Sequence, residues 1–194
     1  SAHFEPHKLT LEDYFKEFIN PQHTPDTPLT VYSSSFVPNQ EKKNKMDVKK
    51  TTVVGISVRT INRENQAMID ISALWQRFMQ EGVMNKIDNK VNNHIWAIYH
   101  NYEGDHLAPY SCTLGCEVSS MSKLPAEFDA VEINPGEYKK FTVKGSVSDN
   151  SVGKKWYEIW GEDLERTYKS DFELYTEKAQ NPEDMEVDIF IGVK

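Results

Sequence analysis

The chain has 194 residues, 38% of them hydrophobic, and a formal net charge of −8. No apolar run approaches the ~18 residues that span a bilayer, so a helical membrane protein is excluded. With a pI near 5.3, the chain lacks the Lys and Arg excess that neutralises phosphates, so direct nucleic-acid binding is not expected. The first residues lack the basic-then-apolar pattern of a secretory leader, which points to the cytoplasm.

Residues 1–45 differ in pattern from the rest of the chain. Thr10 with Asp13 reads as a helix start, Leu11, Tyr14, Phe15 and Phe18 form a short apolar stripe, and Pro21 ends it. Pro21 to Pro28 is turn-rich, and Thr30 to Phe36 reads as extended. The basic run Lys42-Lys43-Asn44-Lys45 with Lys49-Lys50 reads as a solvated linker. This part is an N-terminal extension or an arm, and the body of the fold is expected over 46–194.

From Met46 onward the pattern becomes regular. Thr52 to Thr60 is strand-like, and Ala67 to Gly82 is helical with Ile71, Leu74, Trp75 and Phe78 on one face. His94 to Tyr102 and Tyr110 to Val118 are strands joined through a Gly- and Asp-containing turn. The order then repeats: strand Gly136 to Gly145, helix Asn150 to Leu164, strand Asp171 to Glu177, a turn at Asn181-Pro182-Glu183-Asp184, strand Val187 to Val193. Ala97-Ile98-Tyr99 aligns with Glu173-Leu174-Tyr175, and Leu114-Gly115-Cys116 with Ile191-Gly192-Val193. The fold class is therefore α+β, with two strand-helix-strand-strand repeats. Two such units set two helices over one face of an antiparallel sheet, and the groove between them suits a small molecule.

Cys112 and Cys116 share one strand face about 13 Å apart, beyond disulfide reach, and read as small core residues. His94 and His100 flank a strand without a third ligand, so no metal is implied. No Ser-His-Asp spacing, phosphate loop or nucleotide fingerprint is present, and no cofactor is expected.

The informative residue is Glu173, in Asp171-Phe172-Glu173-Leu174-Tyr175. An acid inside an aromatic strand either faces solvent or meets a partner, because a buried unpaired carboxylate is costly. Facing a hollow walled by Trp and Tyr, it would favour a flat organic cation. Trp156 and Trp160 lie one turn apart on the second helix. They read either as walls of that hollow or as plain core. Trp75 and Phe78 read as core, and Trp96 should face away from Ala97 and Tyr99.

Several stretches in order carry a family resemblance: Thr52-Val53-Val54-Gly55-Ile56, Ile98 through Asp105, Tyr110 through Val118, Ile133 through Phe141, Trp156 through Trp160, Phe172 through Tyr175 and Val187 through Ile191. Together they resemble the GyrI-like small-molecule-binding domains, which also serve as effector domains of BmrR- and Rob-type multidrug-sensing transcription activators. The resemblance covers about 46–194 and implies a pseudo-twofold fold with a central pocket for hydrophobic, often cationic compounds. It implies that Glu173 is the pocket acid, with Tyr99, Tyr110, Trp156, Trp160, Tyr175 and Phe190 as aromatic partners. Phe190 stands where many relatives carry Tyr, and Gly192 where they often carry Pro. The DNA-binding half of the activators is not seen in 1–45.

The reading is a stand-alone effector-binding domain that senses or sequesters hydrophobic cations. Two alternatives stay open. One is a hydrolase of strained, cyclopropane-type electrophiles that uses the pocket Glu and a Tyr hydroxyl. The other is a gyrase-inhibitor-like module that acts on a protein partner. A homodimer also stays open.

Overall fold

Runs rich in β-branched and aromatic residues pack best on a pleated surface, and here they all join one sheet. The computed structural model describes residues 44–121 and 123–194. The expected helix after Thr10, the turn-rich stretch to Pro28 and the extended run Thr30 to Phe36 lie outside the described residues. The strands are β1 (Lys45–Val48), β2 (Thr51–Thr60), β3 (Ile95–His100), β4 (Tyr110–Glu117), β5 (Asp129–Ile133), β6 (Gly136–Gly145), β7 (Arg166–Tyr175) and β8 (Met185–Val193). Helix α1 (Gln66–Gln80) follows β2, and α2 (Ser151–Gly161) follows β6. The sheet order is β1-β6-β8-β7-β3-β4-β2-β5, and every pair is antiparallel.

That order is symmetric. Exchanging β1 to β4 for β5 to β8 reverses the list, so the halves are related by a pseudo-twofold between β3 and β7. The central register pairs Ala97 with Glu173, flanked by Ile98 with Phe172 and Trp96 with Leu174. Ala97 is therefore the counterpart of Glu173, as the aligned sequences implied. The second alignment does not hold. Trp96 pairs with Gly115 while its counterpart Phe172 pairs with Phe190, so Gly115 answers to Phe190 and not to Gly192. Each half also carries one strand more than the residue pattern suggested. β1 lies on β6 and β5 on β2, so each half lends its first strand to the other.

These edge strands explain the omission. β1 is exposed along almost its whole length, so it has no buried face to write an alternating pattern. The stretch read as a solvated linker is in part this strand: Lys45 pairs with Lys139 and Val48 with Gly136. β5 does alternate, with Val131 and Ile133 buried between exposed neighbours, but it is short.

Both helices start from an Asn in the left-handed region, Asn65 at φ 61° and Asn150 at φ 51°. Asn is the residue after Gly that tolerates this turn best. α1 buries Ala67, Leu74, Trp75 and Phe78, and α2 buries Trp156 and Ile159, all in the larger core. Cys112 and Cys116 are free thiols in that core, as expected of small apolar residues. The reverse face of the sheet holds a smaller cluster that includes Trp96, Ile98, Phe172 and Phe190. Among the described residues no helix is long and apolar enough to cross a membrane.

β2 and β4 approach closely where Gly55 faces Gly115. A Cβ at Gly115 would lie 2.2 Å from the Val54 carbonyl oxygen, and one at Gly55 would lie 1.9 Å from the Leu114 oxygen. Neither neighbour is a side chain that can swing aside. Gly115→Ala is expected to cost about 2 kcal/mol by prising the two strands apart, read as a lowered denaturation midpoint.

Candidate functional site

Successive residues of a strand point to opposite faces, so Asp171, Glu173 and Tyr175 share one face of β7. Ala97 and Tyr99 share the same face of β3, which the helices cover. Glu173 is 2% exposed. Its carboxylate accepts three hydrogen bonds, all from aromatic side chains. The Tyr99 hydroxyl donates to Oε1 at 2.8 Å, the Trp156 indole N–H to Oε1 at 2.5 Å, and the Tyr175 hydroxyl to Oε2 at 2.7 Å. Among the described residues no Lys or Arg pairs with it.

Burial pushes the Glu173 carboxyl above its ordinary value, and the donors Trp156, Tyr175 and Tyr99 pull it back in part. The same burial, with the Glu173 charge beside them, holds both phenols protonated well past their usual range. They are therefore donors at any working pH.

The rings form a continuous wall. Tyr99 meets Trp156 edge-on with centroids 5.0 Å apart, and Tyr110 at 6.1 Å. The Tyr110 hydroxyl donates to Asn62 at 2.7 Å and so points away from the acid. Trp156 leads to Trp160 at 6.4 Å. Trp160 stacks on His106 at 5.3 Å and touches the exposed Tyr157 at 5.0 Å. The path from Glu173 thus runs over aromatic surface from the sheet to solvent, with Trp156 directly on the acid.

Six of the seven residues expected at the site are gathered here: Glu173, Tyr99, Tyr110, Trp156, Trp160 and Tyr175. Phe190 is not. It lies on the reverse face, stacked on Phe172 at 4.6 Å, because it pairs with Phe172 while Glu173 pairs with Ile189. The Tyr-to-Phe departure there has no bearing on this wall. Trp96 faces away, as alternation required.

Two features were missed. Trp75, read as core, is buried but lies edge-on to Tyr175 at 5.0 Å, so α1 supplies a ring behind the acid. Counted from Asn65 and Asn150, Trp75 matches Trp160 and Ile71 matches Trp156. That match was available in the sequence once the helix starts were aligned. The second feature is Arg166. β7 begins earlier than the residue pattern suggested and contains this Arg, held beside Asp171 rather than Glu173. Arg166 Nη2 donates to Asp171 Oδ2 at 2.6 Å, with side chains 4% and 0% exposed. The Tyr102 hydroxyl and the Gly192 N–H also donate to Asp171. A register shift between Arg166 and Asp171, with Tyr168 at φ 51°, brings the two together. Nothing in the residue spacing announces that bulge.

The symmetry of the backbone therefore hosts asymmetric chemistry. The second half places Glu173 and Trp156 where the first half has Ala97 and Ile71. One carboxylate, not two, sits at the pseudo-twofold, with the small Ala97 paired opposite it.

Among curated proteins, the chain is similar to YobU of Bacillus subtilis strain 168, a protein named for transcriptional regulation. It is 28% identical to it over 144 residues, which cover 72% of this chain and 90% of that protein. Among solved structures it is similar to the integron cassette protein VCH_CASS2 from the mobile metagenome of Vibrio cholerae. That match has a TM-score of 0.62 and 26% identity, covering 78% of this chain and 95% of the other. SAV2435, solved bound to tetraphenylphosphonium, shares the fold with a TM-score of 0.64 at 23% identity, over 77% of this chain and 92% of that one. The GyrI-like resemblance read from the sequence thus stands. Residues 46–193 match the model of Cass2, the integron-associated effector binding protein, and the chain belongs to that family.

Proposed function

We propose that this effector-binding domain takes hydrophobic organic cations, with Glu173 as counter-ion and Tyr99, Tyr110, Trp156, Trp160 and Tyr175 as walls. The observation that carries the reading is a carboxylate 2% exposed whose three partners are all aromatic donors. Each partner satisfies a lone pair, and none supplies a compensating charge. A buried acid of this kind attracts a delocalised cation, and ring faces add on the order of 0.5–2 kcal/mol per contact. Trp156 covers the acid in this structure, so a ligand reaches it by displacing the indole and taking over its place at Oε1. SAV2435, of the same fold, binds a cation of this class.

The test is a matched pair of probes. Tetraphenylphosphonium and tetraphenylborate have the same shape and opposite charge. Quenching of tryptophan fluorescence should report binding of the cation and little or none of the anion. Equal affinity for both removes the counter-ion role.

The pH dependence comes from the raised carboxyl pKa. Tetraphenylphosphonium does not titrate, so its affinity tracks the ionised fraction of Glu173. Affinity is expected to fall as pH drops through a midpoint above the ordinary 4.5. The profile should be flat over the same range in Glu173→Gln.

A further inference from the structure

Four buried side-chain polar atoms have no hydrogen-bond partner among the described residues: Trp96 Nε1, His106 Nδ1, Arg166 Nε and Arg166 Nη1. Three of the four belong to Arg166 and His106, each of which contacts a ring that leads to the aromatic wall. Natural proteins rarely leave such atoms orphaned, and a buried orphan calls for a partner. The Arg166 nitrogens are donors, and His106 Nδ1 donates in the tautomer that carries its proton there. Arg166 spends one nitrogen on Asp171. Its guanidinium lies over the Tyr168 ring, 4.3 Å from the centroid. Tyr168 in turn meets Tyr102 at 5.5 Å, and Tyr102 meets Tyr110 at 5.4 Å. On the other branch, His106 stacks on Trp160. The two branches meet through Tyr110, which contacts Tyr102 at 5.4 Å and Tyr99 at 6.1 Å. Tyr99 meets Trp156, and Trp156 leads to Trp160. After burial, the Arg166 charge is the next cause that lowers the His106 pKa. Asp171 is already satisfied by Arg166, Tyr102 and Gly192, so the free donors do not turn back to it.

We propose that Arg166 and His106 form a second polar subsite of the same pocket, one that seats a carboxylate carried by the ligand. The inference rests on the cation-pocket reading and narrows it. Asp171 and Glu173 lie two residues apart on one strand face, about 7 Å. Arg166 stands beside the first of them. The favoured ligand is then an aromatic compound with a positive centre and a carboxylate separated by at least about that span. A guanidinium with unused N–H groups in a dry site binds such an oxygen through charge-assisted hydrogen bonds.

The probes are rhodamine 110, which has a free carboxylate, and its methyl ester rhodamine 123, with tetraphenylphosphonium as the cation that carries no acceptor. Arg166→Lys keeps a positive charge for Asp171 and removes the orphaned nitrogens. It should weaken rhodamine 110 by about tenfold and leave tetraphenylphosphonium within about twofold. His106→Phe keeps a ring against Trp160 and removes Nδ1, and should shift the same dye in the same direction. If rhodamine 110 and rhodamine 123 respond alike to Arg166→Lys, or neither responds, ordinary solvent fills these donors and the subsite is overturned. Failure of tetraphenylphosphonium to bind the unaltered protein strikes the counter-ion reading instead, so the two failures are separable.

Discussion

Glu173→Gln is expected to lower tetraphenylphosphonium affinity by about 2 kcal/mol, roughly thirtyfold, while the thermal midpoint holds or rises. The two effects have opposite signs because one charge causes both. At an effective dielectric of ~20, a cation ~5 Å from the carboxylate gains about 3 kcal/mol, more than a single ring contact supplies. Glutamine keeps the shape and loses that attraction. The same charge is a burden to the empty protein. The folded pKa lies above the unfolded value, so folding favours the protonated form. That contribution to stability is full below the unfolded pKa and lost as pH rises through the folded one. At neutral pH an amide removes the burden. Its oxygen still accepts from Trp156 and Tyr99, and its NH₂ meets the Tyr175 hydroxyl, which can accept. Isothermal titration and a thermal melt on the same samples check both halves. A variant that loses stability and keeps affinity would show that Glu173 serves the core rather than a ligand. Turnover of a cyclopropane electrophile in these samples addresses the hydrolase reading, since two phenols on one carboxylate also suit proton transfer.

Much of this architecture is legible in the residues. Alternation in β3 and β7 separates Tyr99 and Glu173 from Trp96 and Phe172, and the repeat of Ala97-Ile98-Tyr99 at Glu173-Leu174-Tyr175 locates the pseudo-twofold. What escaped was what depends on long-range pairing. The exposed β1 carries no pattern of its own, since its place is set by β6. The face of Phe190 depends on the register of β8 against β7. The aligned glycines suggested a register that the Phe172–Phe190 pairing contradicts. Arg166 comes next to Asp171 only through a bulge, and bulges obey no period. Whether Glu173 looked to solvent or to the core was undecidable from its own strand. It became clear only with two helices laid over that face.

Asp171→Ala is expected to cost about 4 kcal/mol of unfolding free energy, the largest effect of any substitution considered, because it strands a charge rather than removing a contact. Asp171 is fully buried and is the acceptor for Arg166, the Tyr102 hydroxyl and the Gly192 N–H together. Alanine leaves an unpaired guanidinium in a low-dielectric site with two more orphaned donors. Replacing both partners with apolar residues of similar size, Arg166→Met with Asp171→Leu, should recover most of the loss, since the pair's own desolvation nearly offsets its attraction. Urea denaturation reads this as a lowered midpoint for the single variant, and one close to the parent for the double, at a similar slope. A single variant as stable as the parent would mean that the ion pair is open to water. The site adds a second readout. With Asp171 gone, the Arg166 charge is no longer neutralised, and it stands beside position 171, about 7 Å along the same strand face from Glu173. It then repels an incoming cation, so tetraphenylphosphonium affinity should fall in Asp171→Ala and return in the double variant. On the proposed reading, a neutral Arg166–Asp171 pair keeps a positive charge from competing with the ligand for Glu173.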